Sequence, residues 1–166
     1  VYAGESELIV AYVNQADADV WVMQKGVDNM HMASSYLADR KVDEIRNIEG
    51  VAEVEPILYL NTVITSGAHQ WFAYIVGLDT PSRLGGPWAM VAGRAEPNDG
   101  EVVVPAVFAD MSGLALGDTL RITDRDFAVV GFSDDTFSMA NSVVFVTKTD
   151  LEDVMTCLLY TSDAAD

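Results

Sequence analysis

The stretch from Gly100 to Phe132, GEVVVPAVFADMSGLALGDTLRITDRDFAVVGF, constrains the fold more than any other part of the chain. Glu101 to Val104 is a β-branched run closed by Pro105, whose missing N–H cannot join a ladder. Ala106 to Leu114 places Val107, Phe108, Met111 and Leu114 at helical spacing, which predicts a short helix with one apolar face. Gly113 is its expected stop. Gly117-Asp118 is a turn pair that starts the alternating strand Thr119 to Ile122. Thr123 to Asp126 reverses the chain, and Phe127 to Phe132 returns as an apolar strand. No residue set here has the character of a reactive site. The stretch reads as a compact β-rich lobe with a helix laid across an open edge.

The rest of the chain predicts a second, α+β lobe. Ser6 is a helix cap ahead of Leu8, Ile9, Tyr12 and Val13, which share a helical face. Asp17 to Asp19 separates this segment from Val20 to Met23, a short β-type run. Val27 to Leu37 is Met-rich, and Met30, Met32, Tyr36 and Leu37 are read as core filling or an adaptable contact surface. Asp39 to Ile48 is the clearest helix, with Val42, Ile45 and Ile48 on one face and Gly50 at its end. Val51 to Pro56 alternates like a strand and continues through Ile57 to Thr65. Ser66-Gly67-Ala68 is a turn, and Trp71 to Val76 is its hairpin partner. Strand, helix, long strand and hairpin partner give a split βαβ character. Leu84 to Asp99, rich in Gly and Pro, reads as a linking loop with an apolar patch at Trp88 to Val91. Ser142 to Val146 is an apolar strand, and Thr149 is the expected cap of a last helix.

Charge narrows the partners. Twenty-six acids stand against 9 bases, a formal charge of −17. Such a surface repels nucleic acid and anionic headgroups, so neither is an expected ligand. Half the residues are hydrophobic, enough for a packed core in 166 residues. No apolar run reaches the ~18 residues that span a bilayer, and no signal peptide opens the chain. The first residue is Val1, so the chain reads as beginning mid-gene, with membrane segments expected outside it.

The last ten residues, Cys157 to Asp166, resemble one reading frame of a sequencing adapter. They are read as a non-native tail and kept out of fold reasoning. Cys157 is the only cysteine, which removes disulfide and thiol chemistry from the rest. His31 and His69 lack the partners of a zinc site. Asp17/Asp19 and Asp134/Asp135 lack the glycine and distal glutamate of a calcium loop and read as turn residues. No nucleophile–base–orienter set occurs. No catalytic, metal or cofactor residues are therefore assigned. The residues named for a docking surface are Met30, Met32, Tyr36, Trp88 and Met90.

Several stretches together resemble the extracytoplasmic domain of MacB/FtsX-type ABC transporter permeases. They are Ala18 to Gly26, Ile45 to Val51, Gly93-Arg94, Gly100 to Val104, Leu114 to Leu120 and Phe127 to Phe132, in the family's order over roughly residues 5 to 155. The resemblance implies a non-enzymatic domain on the extracytoplasmic, periplasmic side of the cell membrane. ATP would be bound by a partner ATPase subunit or domain. A second permease copy and a periplasmic adaptor are the other implied partners, with attachment through transmembrane helices outside the chain. The expected cargo is a lipid, lipoprotein or other hydrophobic substrate. On this reading residues 1–16 end a membrane-proximal helix, 17–80 with 142–156 form the α+β lobe, and 81–141 form the inserted β-rich lobe. Two rivals remain: a free-standing extracellular module binding a small apolar ligand at Trp21, Trp71 or Trp88, and a hydrolase using an acidic pair.

Overall fold

Three segments, 73–78, 102–104 and 143–147, bury every residue in succession. A strand that is apolar on both sides needs cover on both faces, and that requirement shapes the whole molecule. The computed structural model describes residues 12–27, 35–67, 69–138 and 141–163. Residues 12–15 are helical. There follow α1 (Arg40–Arg46), β1 (Ile57–Ser66), β2 (His69–Leu78), β3 (Met90–Gly93), β4 (Glu101–Pro105), α2 (Ala106–Ser112), β5 (Thr119–Ile122), β6 (Arg125–Ser133), β7 (Phe137–Ser138), β8 (Asn141–Thr147) and α3 (Lys148–Asp163).

The eight strands form one mixed sheet in an α+β fold. Its order, β2-β1-β5-β6-β4-β8, is closed by a further pairing of β8 with β2, so six strands make a ring. The β2–β8 and β4–β6 pairs are parallel and the other ring pairs antiparallel. Side chains from all six strands meet in one cluster: Ile64, Ala73, Ile75, Val102, Val104, Leu120, Ile122, Phe127, Val129, Val144 and Val146. A cluster fed by every strand of a closed ring is its interior. Phe108 and Ala109 of α2, with Leu151 and Val154 of α3, join this cluster. Trp71 meets Phe108 edge-on, with ring centroids 5.4 Å apart. The alternate residues Tyr74, Val76, Leu78, Val103, Val143 and Phe145 form a second cluster on the outside, together with Tyr12. Segments 17–80 with 142–156, and 81–141, both send strands into the ring and side chains into its interior.

The ring is unevenly sewn. β1 and β2 pair over ten positions and β2 and β8 over six. β1 meets β5 at two positions, and β4 meets β8 only at Val103↔Phe145.

Several sequence expectations are corrected. Val20 to Met23 has no regular secondary structure: Val20 and Val22 are exposed, while Trp21 turns inward and donates its indole N–H to the Val13 carbonyl at 3.3 Å. Val51 to Pro56 is not a strand, because the partner strand ends at Leu78 opposite Ile57 and Pro56 has no N–H to offer. The helix near Val42 is α1, and its apolar face is incompletely covered, with Ile48 beyond its end 56% exposed. In α2 the apolar residues divide between two faces. Phe108 turns inward and Leu114 packs beside it, while Val107 and Met111, one turn apart, face outward. Met90–Gly93, read as loop, is a strand paired with β6. Thr147, not Thr149, caps α3: its hydroxyl accepts from the Asp150 N–H at 3.2 Å. α3 itself runs on through the Cys157 tail to Asp163. The stop at Gly113 is as expected, with φ at 71° and the Leu114 N–H bonded to the Ala109 carbonyl at 3.0 Å.

Two positions test this packing. A Cβ on Gly77 would lie 2.9 Å from Leu151 Cβ and 3.1 Å from Lys148 Cα, so α3 rests directly on β2. Gly77→Ala is expected to cost about 1–3 kcal/mol in urea unfolding, because α3 has to move off the sheet. Thr123 opens the two-residue β5–β6 turn at φ 52°, and its buried hydroxyl has no partner. Thr123→Gly relieves both the backbone and the hydroxyl, and is expected to stabilise by about 1 kcal/mol in the same measurement.

Candidate functional site

Tyr12 is the largest side chain on the outer face with no exposed surface at all. A tyrosine on a helical end buries this deeply only when both its ring and its hydroxyl find partners. The ring lies among Trp21, Trp88 and Phe145, with centroids at 5.8, 6.3 and 6.4 Å. The hydroxyl donates to the Gly85 carbonyl at 2.9 Å, and burial pushes its pKa well above the usual tyrosine value. The Gly85 N–H in turn donates to the Ala16 carbonyl at 2.9 Å. Two reciprocal hydrogen bonds thus fasten the end of the helix to the 84–88 loop. Gly85 has φ at 77°, and a Cβ there would meet the Tyr12 hydroxyl at 3.2 Å, so glycine suits both the backbone and the contact.

The outer cluster under Tyr12 continues along the sheet. Tyr59 and Tyr74 stack with centroids 5.2 Å apart, and burial, with Tyr74 beside it, raises the Tyr59 pKa. A cleft of about 420 Å³ opens next to the helical end, between Gln15, Asp17, Thr80, Arg83, Trp88 and Glu96. It adjoins a second cleft of about 460 Å³ that shares Thr80, Ala95, Glu96 and Pro97.

A polar junction lies where β8 runs into α3. Asp150 is 2% exposed, yet its carboxylate accepts from the Gly100 N–H at 2.7 Å and the Thr147 hydroxyl at 3.1 Å. Arg125 approaches its other oxygen at 3.3 Å and reaches Asp153 at 2.6 Å. The single Thr147 hydroxyl proton is shared with Asp99, whose Oδ1 lies nearer, at 2.8 Å. A buried charge with this many donors is compensated, and the compensation joins α3 to the start of β4 and the start of β6.

Of the residues named for docking, Tyr36, Trp88 and Met90 lie among the described ones. Met30 and Met32 lie outside the described residues. Tyr36 is 73% exposed. Trp88 and Met90 are half-buried and packed on the Tyr12 cluster, so their apolar area works inside the molecule. Of the three tryptophans, Trp21 and Trp88 also belong to this cluster, whereas Trp71 packs on the interior. The importance of Tyr12 was missed in the sequence because its partners, Gly85, Trp88 and Phe145, are more than 70 residues away; only its place on an apolar helical face was visible. Among the described residues, no group of three or more His, Cys, Asp and Glu side chains is arranged to hold a metal ion, and no helix is long and apolar enough to cross a membrane.

The β3–β4 connection carries a titratable tie. Burial opposes the charge on Glu101, but the Asn98 N–H at 2.7 Å and the Arg94 guanidinium outweigh it and hold the carboxyl below its ordinary 4.5. A depressed carboxyl stabilises the loop above its unfolded pKa and loses that effect as the pH falls through the folded value. The Asn98 amide signal in NMR is expected to titrate with a midpoint below 4.5, and Glu101→Gln is expected to abolish that titration.

Comparison with known proteins gives a consistent result. The model of the MacB-like periplasmic core domain family matches residues 1–166. The periplasmic region of MacB from Actinobacillus actinomycetemcomitans is similar in structure, with a TM-score of 0.51 at 15% identity, over 68% of this chain and 55% of that one. The extracellular domain of the noncanonic ABC-type transporter YknZ from Gram-positive bacteria gives a TM-score of 0.54 at 12% identity, over 70% of this chain and 65% of that one. The chain therefore spans somewhat over half of each of these structures, and at such identities the likeness is one of fold. No curated protein matches the chain.

Proposed function

The chain belongs to the MacB-like periplasmic core domain family, and on that footing we propose that it transmits force in an ABC transporter permease. In this reading it stands on the extracytoplasmic side of the cell membrane. A partner ATPase subunit binds and hydrolyses ATP, and membrane helices outside the chain carry the movement to it. The cargo is a lipid, lipoprotein or other hydrophobic substrate that is exported or extracted. A second permease copy and a periplasmic adaptor complete the assembly. The domain itself needs no cofactor.

The observation that carries this reading is the seating of Tyr12. A helical end clamped by a fully buried ring and two reciprocal hydrogen bonds cannot move without moving what it is clamped to. Its contacts reach β8 through Phe145 and the 84–88 loop through Gly85 and Trp88. That arrangement suits rigid-body transmission, which needs close packing and directional bonds rather than reactive groups.

The test uses the full-length permease with its ATPase in proteoliposomes. Tyr12→Ala is expected to leave ATP hydrolysis running while efflux of a hydrophobic dye is lost. Equal efflux from the wild-type and Tyr12→Ala proteins would overturn the coupling role. The cleft beside Trp88 favours one other reading, a free-standing ligand-binding module. Stoichiometric quenching of tryptophan fluorescence by a small apolar ligand, in the chain without any ATPase, would put that reading first.

A further inference from the structure

The cleft of about 420 Å³ beside the helical end has the size of a small-molecule site, for which ~300–1,000 Å³ is usual. Its walls are pinned through their backbones. The Gly85 N–H donates to the Ala16 carbonyl at 2.9 Å, and the Ser82 hydroxyl donates to the Leu84 carbonyl at 2.6 Å. In the 94–98 segment the Arg94 guanidinium donates to the Glu96 carbonyl at 2.7 Å and pairs with Glu101. Pro87 and Pro97 fix φ in the same walls. Trp88 lines the cleft while its ring packs on Tyr12.

Within this pinned frame the charged side chains are unspent. Lys41, Arg46, Arg94, Arg121, Arg125 and Lys148 each pair with a carboxylate. Among the described residues the Arg83 guanidinium has no such partner, in a chain with 26 acids against 9 bases. Asp17 and Glu96, which line the same cleft, are likewise in no ion pair among the described residues. Asp17 holds φ at 58°, a left-handed conformation that aspartate and asparagine adopt more readily than most residues. It follows Ala16, and Arg83 stands two residues before Gly85, so the Gly85–Ala16 hydrogen bond brings acid and base to one cleft without pairing them. The lining thus offers one cation, two anions and one aromatic ring. A lone anion meets Asp17, Glu96 and the overall charge of −17, and a lone cation meets Arg83. A molecule with both charges satisfies the whole lining: guanidinium binds a planar or tetrahedral oxyanion, and carboxylates with an indole face bind an ammonium group.

We propose that this cleft binds a small zwitterionic group, its oxyanion on Arg83 and its ammonium group between Asp17, Glu96 and the Trp88 ring. The adjoining cleft of about 460 Å³, which shares Thr80, Ala95, Glu96 and Pro97, gives room for whatever body the zwitterion is attached to. The same chemistry is carried by an aminophospholipid headgroup and by a free aminoalkyl phosphate. As a contact for the polar end of a cargo, the site rests on the transport reading. The binding itself is a property of the chain alone.

The experiment is an NMR titration of the full 166-residue chain, labelled with nitrogen-15, with O-phosphoethanolamine. Saturable shifts are expected at the Trp88 indole N–H and at the Gly86 and Ala95 amides, all in the cleft lining. Inorganic phosphate alone and ethylammonium alone are each expected to bind at least ~10-fold more weakly, because each leaves one charge of the lining unmet. Arg83→Gln is expected to weaken O-phosphoethanolamine by about 10-fold or more, and Arg83→Lys by less, since a single ammonium keeps the charge but loses the fork. Asp17→Asn, which tolerates the same backbone, is expected to narrow the preference over phosphate. No saturable shift, shifts away from the cleft, phosphate binding as tightly as O-phosphoethanolamine, or wild-type affinity in Arg83→Gln would each overturn the proposal. Dihexanoyl phosphatidylethanolamine, kept below its micelle concentration, separates the two sources. Tighter binding than the bare headgroup assigns the site to a lipid, and equal or weaker binding assigns it to the free zwitterion. Efflux that persists in the Tyr12→Ala permease would count against the transmission role and would leave this binding untouched.

Discussion

A single carboxylate almost removed from water holds the architecture together. Asp150 has lost its hydration, and a lone ion in that place would be strongly unfavourable. The Gly100 N–H, the Thr147 hydroxyl and the Arg125 guanidinium replace the water. Thr147 ends β8, Gly100 leads into β4 and Arg125 opens β6, so the cost of desolvating Asp150 is offset only when all three strands are in place around the start of α3. Hydrophobic burial is non-directional and would tolerate several arrangements of six apolar strands. The buried charge accepts few of them, because any arrangement that separates its donors leaves it unpaired. Arg125 also lies 5.9 Å from the centre of the Phe127 ring, which ties the ion pair to the interior beneath it.

Much of this was written in the local sequence, and the boundary between what was legible and what was not follows physical range. The strands around Val102, Leu120 and Val129 were readable because period-two alternation and β-branched runs are local patterns. The α+β class followed from the helix at Val42 and the hairpin after Ile57, which are equally local patterns. The stop at Gly113 and the turn at Gly117-Asp118 were readable because glycine and aspartate act within a few residues; the Ala115 N–H indeed bonds to the Asp118 carboxylate at 2.8 Å. Val20 to Met23 and Val51 to Pro56 had strand-like composition without a neighbouring strand, and a ladder needs a partner that composition cannot supply. The same limit hid Tyr12. Apart from Trp21, its partners are distant in sequence, and the local pattern does not distinguish a clamped tyrosine from an ordinary amphipathic one.

Glycines show where local and long-range information meet. Gly93 and Gly131, each part of a stretch that carried the family resemblance, face each other in the β3–β6 register. A Cβ on Gly93 would lie 2.2 Å from the Val130 carbonyl oxygen, and one on Gly131 would lie 2.2 Å from that of Arg94. The resemblance therefore marks a place where two backbones touch. It reports on how the fold is assembled and carries little about what the assembled domain does. A different kind of residue bears on function, one whose burial exceeds what the fold alone requires.

Tyr12 is such a residue. The ring interior closes without it, and Phe145 and Val103 would still pair. What the Tyr12 cluster adds is a firm attachment for the helical end, made of aromatic contacts and two hydrogen bonds shielded from water. Hydrogen bonds in a desolvated site are stiffer and electrostatically stronger than the same bonds at a surface. Such a grip suits a helical end that moves as one body with the strands beneath it. A domain built only to bind a small ligand would have no need to bury a helical end so completely.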